Sequence, residues 1–216
     1  GSETFIPPIP GVENVDYWTH RDALDNKEVP ASLTIVGGGV IGMEFASFFT
    51  SLGVQVTVVE MLDEILGGMD KELSAMLRAE YAKKGIKFLL STKVVGVSKG
   101  ETGITVSYEN ADGTGTVTAD KLLMSVGRRP VTKGFGLENL NLEWTERRCI
   151  KVDEHLQSSV PGVYVCGDLN GVSLLAHTAV REAEVAVHHI TGKEDAMSYR
   201  AIPGVVYTNP EIAGVG

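Results

Sequence analysis

The sequence predicts an α/β fold, a parallel sheet carrying helices with an antiparallel meander inserted before its last strand. Three observations carry that expectation. First, the β-branched run Leu33-Thr34-Ile35-Val36 enters the glycines Gly37-Gly38-Gly39-Val40-Ile41-Gly42 and then a helical segment, Met43 to Leu52. A second β-branched run, Val54 to Val59, follows and ends on Glu60. Second, another helical stretch leads to the short apolar run Lys87–Leu90, so strands and helices alternate as βαβαβ. Third, Thr92–Val97, Ile104–Tyr108 and Thr116–Ala119 are short strand-like runs. The last two are joined by the turn-rich Asn110-Ala111-Asp112-Gly113.

The glycine spacing has a chemical meaning. Gly37 permits a tight turn out of the first strand, Gly39 allows a pyrophosphate to approach the backbone, and Gly42 lets the helix pack near the strand. The helix start presents free N–H groups and the positive end of its dipole to phosphates. Glu60 lies 18 residues after Gly42, at the tip of the second strand, where its carboxylate accepts from ribose hydroxyls. The same charge repels a ribose 2′-phosphate, by about 4 kcal/mol at ~4 Å and an effective dielectric of ~20 before screening. No Arg or Lys follows Glu60 until Lys71, so the pattern favours NAD over NADP. Strand, turn, helix, strand and acid together define a Rossmann-like, three-layer NAD-binding domain, whereas the glycines alone would also suit a buried turn.

Composition narrows the function classes. The chain has 216 residues, 43% hydrophobic and 22% charged, with net charge −9 and pI near 5.1. That is a globular balance with room for one large or two small domains. No basic patch or aromatic stripe points to nucleic acid. The two cysteines, Cys149 and Cys166, match no CxxC or zinc spacing and read as reduced core thiols. No charged-then-apolar leader opens the sequence, and the apolar region from Ile35 to Phe49 contains three consecutive glycines and Glu44, so no membrane span is expected. A cytoplasmic protein follows.

Taken in order, residues 1–30 read as a linker, proline-punctuated over Thr4–Gly11, with a short helix from Trp18 to Leu24. Residues 31–150 read as the NAD-binding domain. Within it, Met61–Met69 is expected as a loop with one helical turn. Asp70 then caps a helix whose apolar stripe is Leu73, Met76, Leu77 and Tyr81 and whose C′ glycine is Gly85. Lys121 to Val126 is a buried strand stopping at Gly127-Arg128-Arg129-Pro130, the lip of a nucleotide crevice. Thr132 to Ser158 is loop-rich, with a short strand near Cys149 to Val152. Gly162 to Asp168 reads as a strand ending in Gly-Asp. Leu174 to Ile190 reads as a helix with Leu175, Ala179, Ala183, Val187 and Ile190 inward. His188 and His189 are adjacent, hence about 100° apart on that helix, which argues against a metal site there. The tail from Tyr199 ends on a strand-like run.

Four separated stretches, in order, resemble the flavin-disulfide (pyridine nucleotide-disulfide) oxidoreductases, most closely their dihydrolipoamide dehydrogenase branch. They are Gly37 to Glu44, Ser125 to Pro130, Val163 to Asp168 and Tyr207 to Gly216. The resemblance implies that Gly37, Gly39, Val40, Ile41 and Gly42 form the NAD phosphate loop and that Glu60 is the adenosine-ribose acid. It places Val94 against the adenine, Gly127 at the nicotinamide side, and Glu44 near flavin and nicotinamide. It implies that Gly167 and Asp168 belong to the FAD site, with Asp168 on the ribityl chain, and that Leu174, Leu175, Ala176 and His177 open a helix facing the flavin.

The family's N-terminal FAD-phosphate glycines, its CxxxxC redox pair and its His–Glu dyad have no counterpart here. Cys149 and Cys166 are 17 positions apart, and neither is expected to be a catalytic thiol. The implied organisation is therefore a central fragment. Residues 1–30 would leave an FAD domain, 151–200 would return to it, and 201–216 would begin a C-terminal dimerisation domain. Gly1-Ser2-Glu3 resembles the exit from the FAD domain, although Gly1-Ser2 also reads as a cloning remnant. The implied parent is a homodimer passing electrons from dihydrolipoamide through a disulfide and FAD to NAD, with lipoamide-carrying proteins of 2-oxoacid dehydrogenase complexes as partners. A glutathione- or mercuric-reductase-like enzyme, or an NAD-binding module without catalysis, are the other readings. In this fragment FAD is expected to be lost and lipoamide activity absent.

Overall fold

The computed structural model describes residues 1–215. The chain folds as two compact units. One comprises Gly1–Glu3, Arg128–Gly204 and Gly214–Gly216, and the other Thr4–Gly127 and Val205–Ala213. The strands and helices in order are β1 (Ser2–Thr4), α1 (His20–Asp25), β2 (Ser32–Val36), α2 (Val40–Ser51), β3 (Gln55–Val59), α3 (Lys71–Lys83) and β4 (Lys87–Leu89). There follow β5 (Lys93–Lys99), β6 (Ile104–Asn110), β7 (Gly113–Ala119), β8 (Lys121–Met124), β9 (Arg128–Pro130), α4 (Ala176–Ile190), β10 (Pro203–Val206) and β11 (Ile212–Val215).

The larger unit is built on a four-stranded parallel sheet in the order β4-β3-β2-β8. Alternation along its strands decides which layer each residue meets. Leu33 and Ile35 of β2, Val56 and Val58 of β3 and Leu123 of β8 pack with Met43, Ala46 and Phe49 of α2 and Leu77 and Tyr81 of α3. Val36, Leu122 and Met124 instead pack with Val97, Ile104 and Val106. The latter belong to an antiparallel sheet in the order β5-β6-β7, which carries an irregular register between Val94 and Gly96. Thr34 also sits in the β2 interior, fully buried, and its Oγ1 has no hydrogen-bond partner among the described residues.

Within residues 1–30, Val12, Trp18 and Ala23 are buried, and Trp18 exchanges backbone hydrogen bonds with Leu122 and Met124 at 2.7 and 2.8 Å. Tail residues Val206 and Ile212 enter the core around α2 and α3, and so belong to the larger unit. The 61–69 loop has no helix, only a single i→i+3 turn in which Met69 N–H donates to the Leu66 carbonyl at 2.8 Å. It is pinned instead by Leu66 N–H on the Gly38 carbonyl (2.9 Å) and by the fork between Arg78 and Glu64 (2.8–3.1 Å).

Asp70 does cap α3, accepting from the amides of Glu72 and Leu73. The α3 stripe is narrower than its apolar residues suggest. Leu77 and Tyr81 are buried, but Leu73 and Met76 are exposed, because Ser74 takes the inward position and bonds the Asp70 carbonyl.

In the smaller unit β1 pairs with β9. The expected strands near Cys149–Val152 and over Gly162–Asp168 reduce to isolated bridges, Trp144 with Ile150, Val152 with Ser158 and Gln157 with Tyr164. The backbone around residues 163–165 bonds to that of 156–160 without forming a continuous ladder, and Gly167–Leu169 turns as a single 3₁₀ turn. The inward face of α4 is Thr178, Glu182, Val185 and Ala186, whereas Val187 and Ile190 are exposed. Both stripes have helical spacing, and the buried one combines hydrogen bonds to Glu182 with the packing of Val185 and Ala186 on Leu156.

Candidate functional site: a glycine cradle and an acid at the sheet's carboxyl edge

Parallel pairing brings the ends of β2, β3 and β8 to one edge, placing Gly37, Glu60 and Ser125 side by side. Gly37 is buried with φ +106°, and its N–H donates to the Val59 carbonyl at 2.9 Å. A Cβ there would collide with the Ser125 carbonyl, so neither backbone angle nor space admits another residue. Gly42 sits in the first turn of α2 against Gly37, where a Cβ would strike the Gly37 carbonyl oxygen. Gly39 differs from both. It is the N-cap of α2 with φ −71° and ψ −175°, ordinary extended backbone, and no atom lies within 4 Å of where its Cβ would be. Of these three glycines, Gly39 alone has open space at its Cβ position.

The first backbone bond into α2 from the turn is Met43 N–H to the Gly39 carbonyl, 2.9 Å. The amides of Val40, Ile41 and Gly42 precede it and are the free donors of a helix start. Phosphate oxygens suit such donors. The residues present therefore fit a dinucleotide.

Glu60 is half-buried and bound at both oxygens. Gly38 N–H donates to Oε2 at 2.6 Å and Leu62 N–H to Oε1 at 2.7 Å. Each such bond to a charged acceptor is worth about 1.5–3 kcal/mol. The carboxylate thereby ties the glycine turn to the following loop while keeping lone pairs for further donors. Thr92 N–H donates to the Glu60 carbonyl at 2.9 Å, and Val94, two residues on, is half-buried against the cluster that contains Val36 and Met124. Gly127 is exposed, with φ +126°, two residues beyond Ser125. Glu44, one turn into α2, is engaged by the tail: its Oε1 accepts from Tyr207 N–H at 2.9 Å. That long-range contact had no signal in the sequence.

The smaller unit holds the second set. Gly167 has φ +72° and starts the 3₁₀ turn that carries Asp168. The Ser2 hydroxyl donates to Asp168 Oδ2. Arg128 donates from Nε to Ser2 Oγ and from its terminal nitrogen to the Ser2 carbonyl, each at 2.6 Å. Among the described hydrogen bonds, Asp168 accepts at Oδ2 alone. Leu174 is exposed, Leu175 is the N-cap of α4, and Ala176 and His177 are its first residues, again with free amides.

Sequence reasoning missed Ser2, Arg128 and Glu182. Cys166 precedes this turn as a free thiol, pushed up in pKa by burial and then by the Glu182 charge. Cys149 is free and buried. No cluster of three or more potential metal ligands and no helix long and apolar enough to cross a membrane occur among the described residues.

Residues 1–183 match the family model for pyridine nucleotide-disulphide oxidoreductases. The dihydrolipoyl dehydrogenase of Geobacillus stearothermophilus is 40% identical over 194 residues, 90% of this chain and 41% of that protein. The mitochondrial dihydrolipoyl dehydrogenase of Caenorhabditis elegans is 40% identical over 221 residues, 100% of this chain and 44% of that protein. The chain thus spans somewhat under half the length of these relatives. Among solved structures, the HOCl-induced flavoprotein disulfide reductase RclA of Escherichia coli superposes with TM-score 0.91 at 28% identity, over all of this chain and 49% of that one. LpdA of Mycobacterium tuberculosis superposes with TM-score 0.90 at 31% identity, over 100% and 47%.

Proposed function

The chain belongs to the pyridine nucleotide-disulphide oxidoreductase family, and from that premise we propose that it is the NAD-binding core of a dihydrolipoyl dehydrogenase. In this reading the larger unit is a Rossmann-like NAD domain with an inserted meander, and the smaller unit is part of an FAD domain. The observation that carries it is the cradle at the carboxyl edge, in which Gly39 alone leaves room for a Cβ and Glu60 holds the Gly38 amide.

The amides of Val40, Ile41 and Gly42 hold the pyrophosphate, and the Glu60 carboxylate takes the adenosine ribose hydroxyls and repels a 2′-phosphate. Val94 borders the adenine, while Gly127 and Glu44 border the nicotinamide. Gly167 and Asp168 hold the ribityl chain of FAD. The start of α4 at Leu174, Leu175, Ala176 and His177 turns its positive end toward the flavin. When bound, FAD carries electrons between a dithiol and the nicotinamide.

The two cysteines of this chain take no part: thiol–disulfide exchange needs an accessible thiolate, Cys149 is buried, and burial and then the Glu182 charge push the Cys166 thiol up in pKa. The parent is proposed to be a cytoplasmic homodimer acting on lipoamide-carrying proteins of 2-oxoacid dehydrogenase complexes. The 40% identity to proteins named dihydrolipoyl dehydrogenase favours that substrate over those of other flavin-disulfide reductases.

Assaying dihydrolipoamide with NAD tests the proposal. The full-length protein turns over and this chain alone does not. Turnover by the pure chain, or a full-length protein active with another disulfide but inert to lipoamide, contradicts it.

A further inference from the structure

Glu182, in the middle of α4, is the one charged side chain among the described residues with no solvent exposure. None of the described ion pairs includes it. A buried carboxylate without a cation survives only if hydrogen bonds replace its hydration. Here three donors do so. Gly167 N–H reaches Oε2 at 2.5 Å, and the Asn170 amide (3.0 Å) and the Tyr199 hydroxyl (2.8 Å) share Oε1. The two nitrogen groups can only donate, which fits the ionised form. Tyr199 responds in kind: burial and then its bond to Glu182 push the phenol well above its ordinary pKa.

Gly167 and Asn170 are the two ends of the turn that presents Asp168, closed by Asn170 N–H on the Gly167 carbonyl at 3.0 Å. The left-handed φ of Gly167 is not imposed by a continuous strand: before it come an isolated bridge at Tyr164 and the bond from Val165 N–H to the Leu156 carbonyl at 2.9 Å.

We infer that Glu182 is a positioning residue for the flavin site, a buried carboxylate that fixes the Gly167–Asn170 turn and thereby aims Asp168 at the ribityl hydroxyls. The inference rests on the flavin reading given above. Glu182 touches no reacting atom. It acts through Gly167 and Asn170 from within the fold, while Ser2 and Arg128 brace the Asp168 side chain from the other side.

Two variants test it. In E182Q the new amide must face either Gly167 N–H or the Asn170 and Tyr199 donors, so a donor opposes a donor and the charge is gone. In Y199F the charge stays and one competing donor leaves. NMR of this chain reads the Gly167 amide directly. It resonates far downfield and exchanges slowly in the wild type, moves upfield and exchanges at least tenfold faster in E182Q, and moves further downfield in Y199F. Non-specific damage would not give shifts of opposite sign, and Y199F decides the matter if E182Q does not fold.

FAD titrated into the full-length apoprotein, followed by flavin fluorescence, binds at least tenfold more weakly to E182Q, with NADH affinity within twofold of wild type. An unchanged Gly167 amide in E182Q, an upfield or unmoved amide in Y199F, or undiminished FAD affinity overturns the inference. A wild-type protein that takes no FAD refutes the flavin reading instead.

Discussion

Replacing Gly39 by Ala separates binding from folding. Its φ of −71° and ψ of −175° are open to alanine, and no atom lies within 4 Å of the added methyl. Two small stability terms then oppose one another. Alanine is a poorer N-cap than glycine, by about 0.5–1 kcal/mol, whereas removing glycine's freedom from the unfolded chain returns roughly 0.4–1 kcal/mol. The net change is about 0.5 kcal/mol in either direction, a melting shift of roughly 1–2 °C for a chain of this size.

Binding behaves differently, because the methyl occupies the space assigned to the pyrophosphate. Overpacking of this kind costs about 1–3 kcal/mol, so NADH affinity falls roughly 5- to 150-fold. The assay is a thermal melt beside an NADH fluorescence titration. Unchanged NADH affinity in Gly39→Ala would refute the placement of the phosphates.

Gly42→Ala gives the contrasting result, since its Cβ collides with the Gly37 carbonyl. Melting temperature and NADH affinity fall together, by about 1–3 kcal/mol in stability. Glu60→Gln sets an amide against the Gly38 or Leu62 N–H. NADH titration should show at least tenfold weaker binding, with NADPH losing less, so that the two affinities converge. Thr34→Val removes a buried hydroxyl that has no partner among the described residues and should raise unfolding free energy by about 1 kcal/mol in denaturant titration.

Asp195 is held near pKa 2 by hydrogen bonds from Arg181 and then His188. Its folded pKa lies below the unfolded value, so its contribution is present above about pH 4 and lost as pH falls toward 2. Asp195→Asn should flatten the stability–pH curve across that window.

What the sequence reveals and what it hides divide along physical lines. The Gly37–Gly42 turn, the Glu60 acid and the Asp70 cap are local, and each residue type is dictated by backbone angle or charge. Glu182 is different. The α4 segment carries an apolar stripe at Leu175, Ala179, Ala183, Val187 and Ile190 that outranks a stripe containing a carboxylate. The donors on Gly167, Asn170 and Tyr199, up to 17 residues away, and the packing of Val185 and Ala186 on Leu156 hold the helix the other way. The available sign was the small-residue and β-branched spacing of Thr178, Val185 and Ala186 around Glu182. The packing of Val206 and Ile212 beside α2, and the Tyr207 amide on Glu44, span more than 100 residues and leave no local pattern.

The glycine turn and Glu60 are proposed to form a working NAD site. Its most direct test is an equilibrium titration of this chain with NADH and, separately, NADPH, following nicotinamide fluorescence. Saturable NADH binding and at least tenfold weaker NADPH binding are expected, a difference of about 1.4 kcal/mol or more. Equal affinities, tighter NADPH, or no binding of either nucleotide would contradict it.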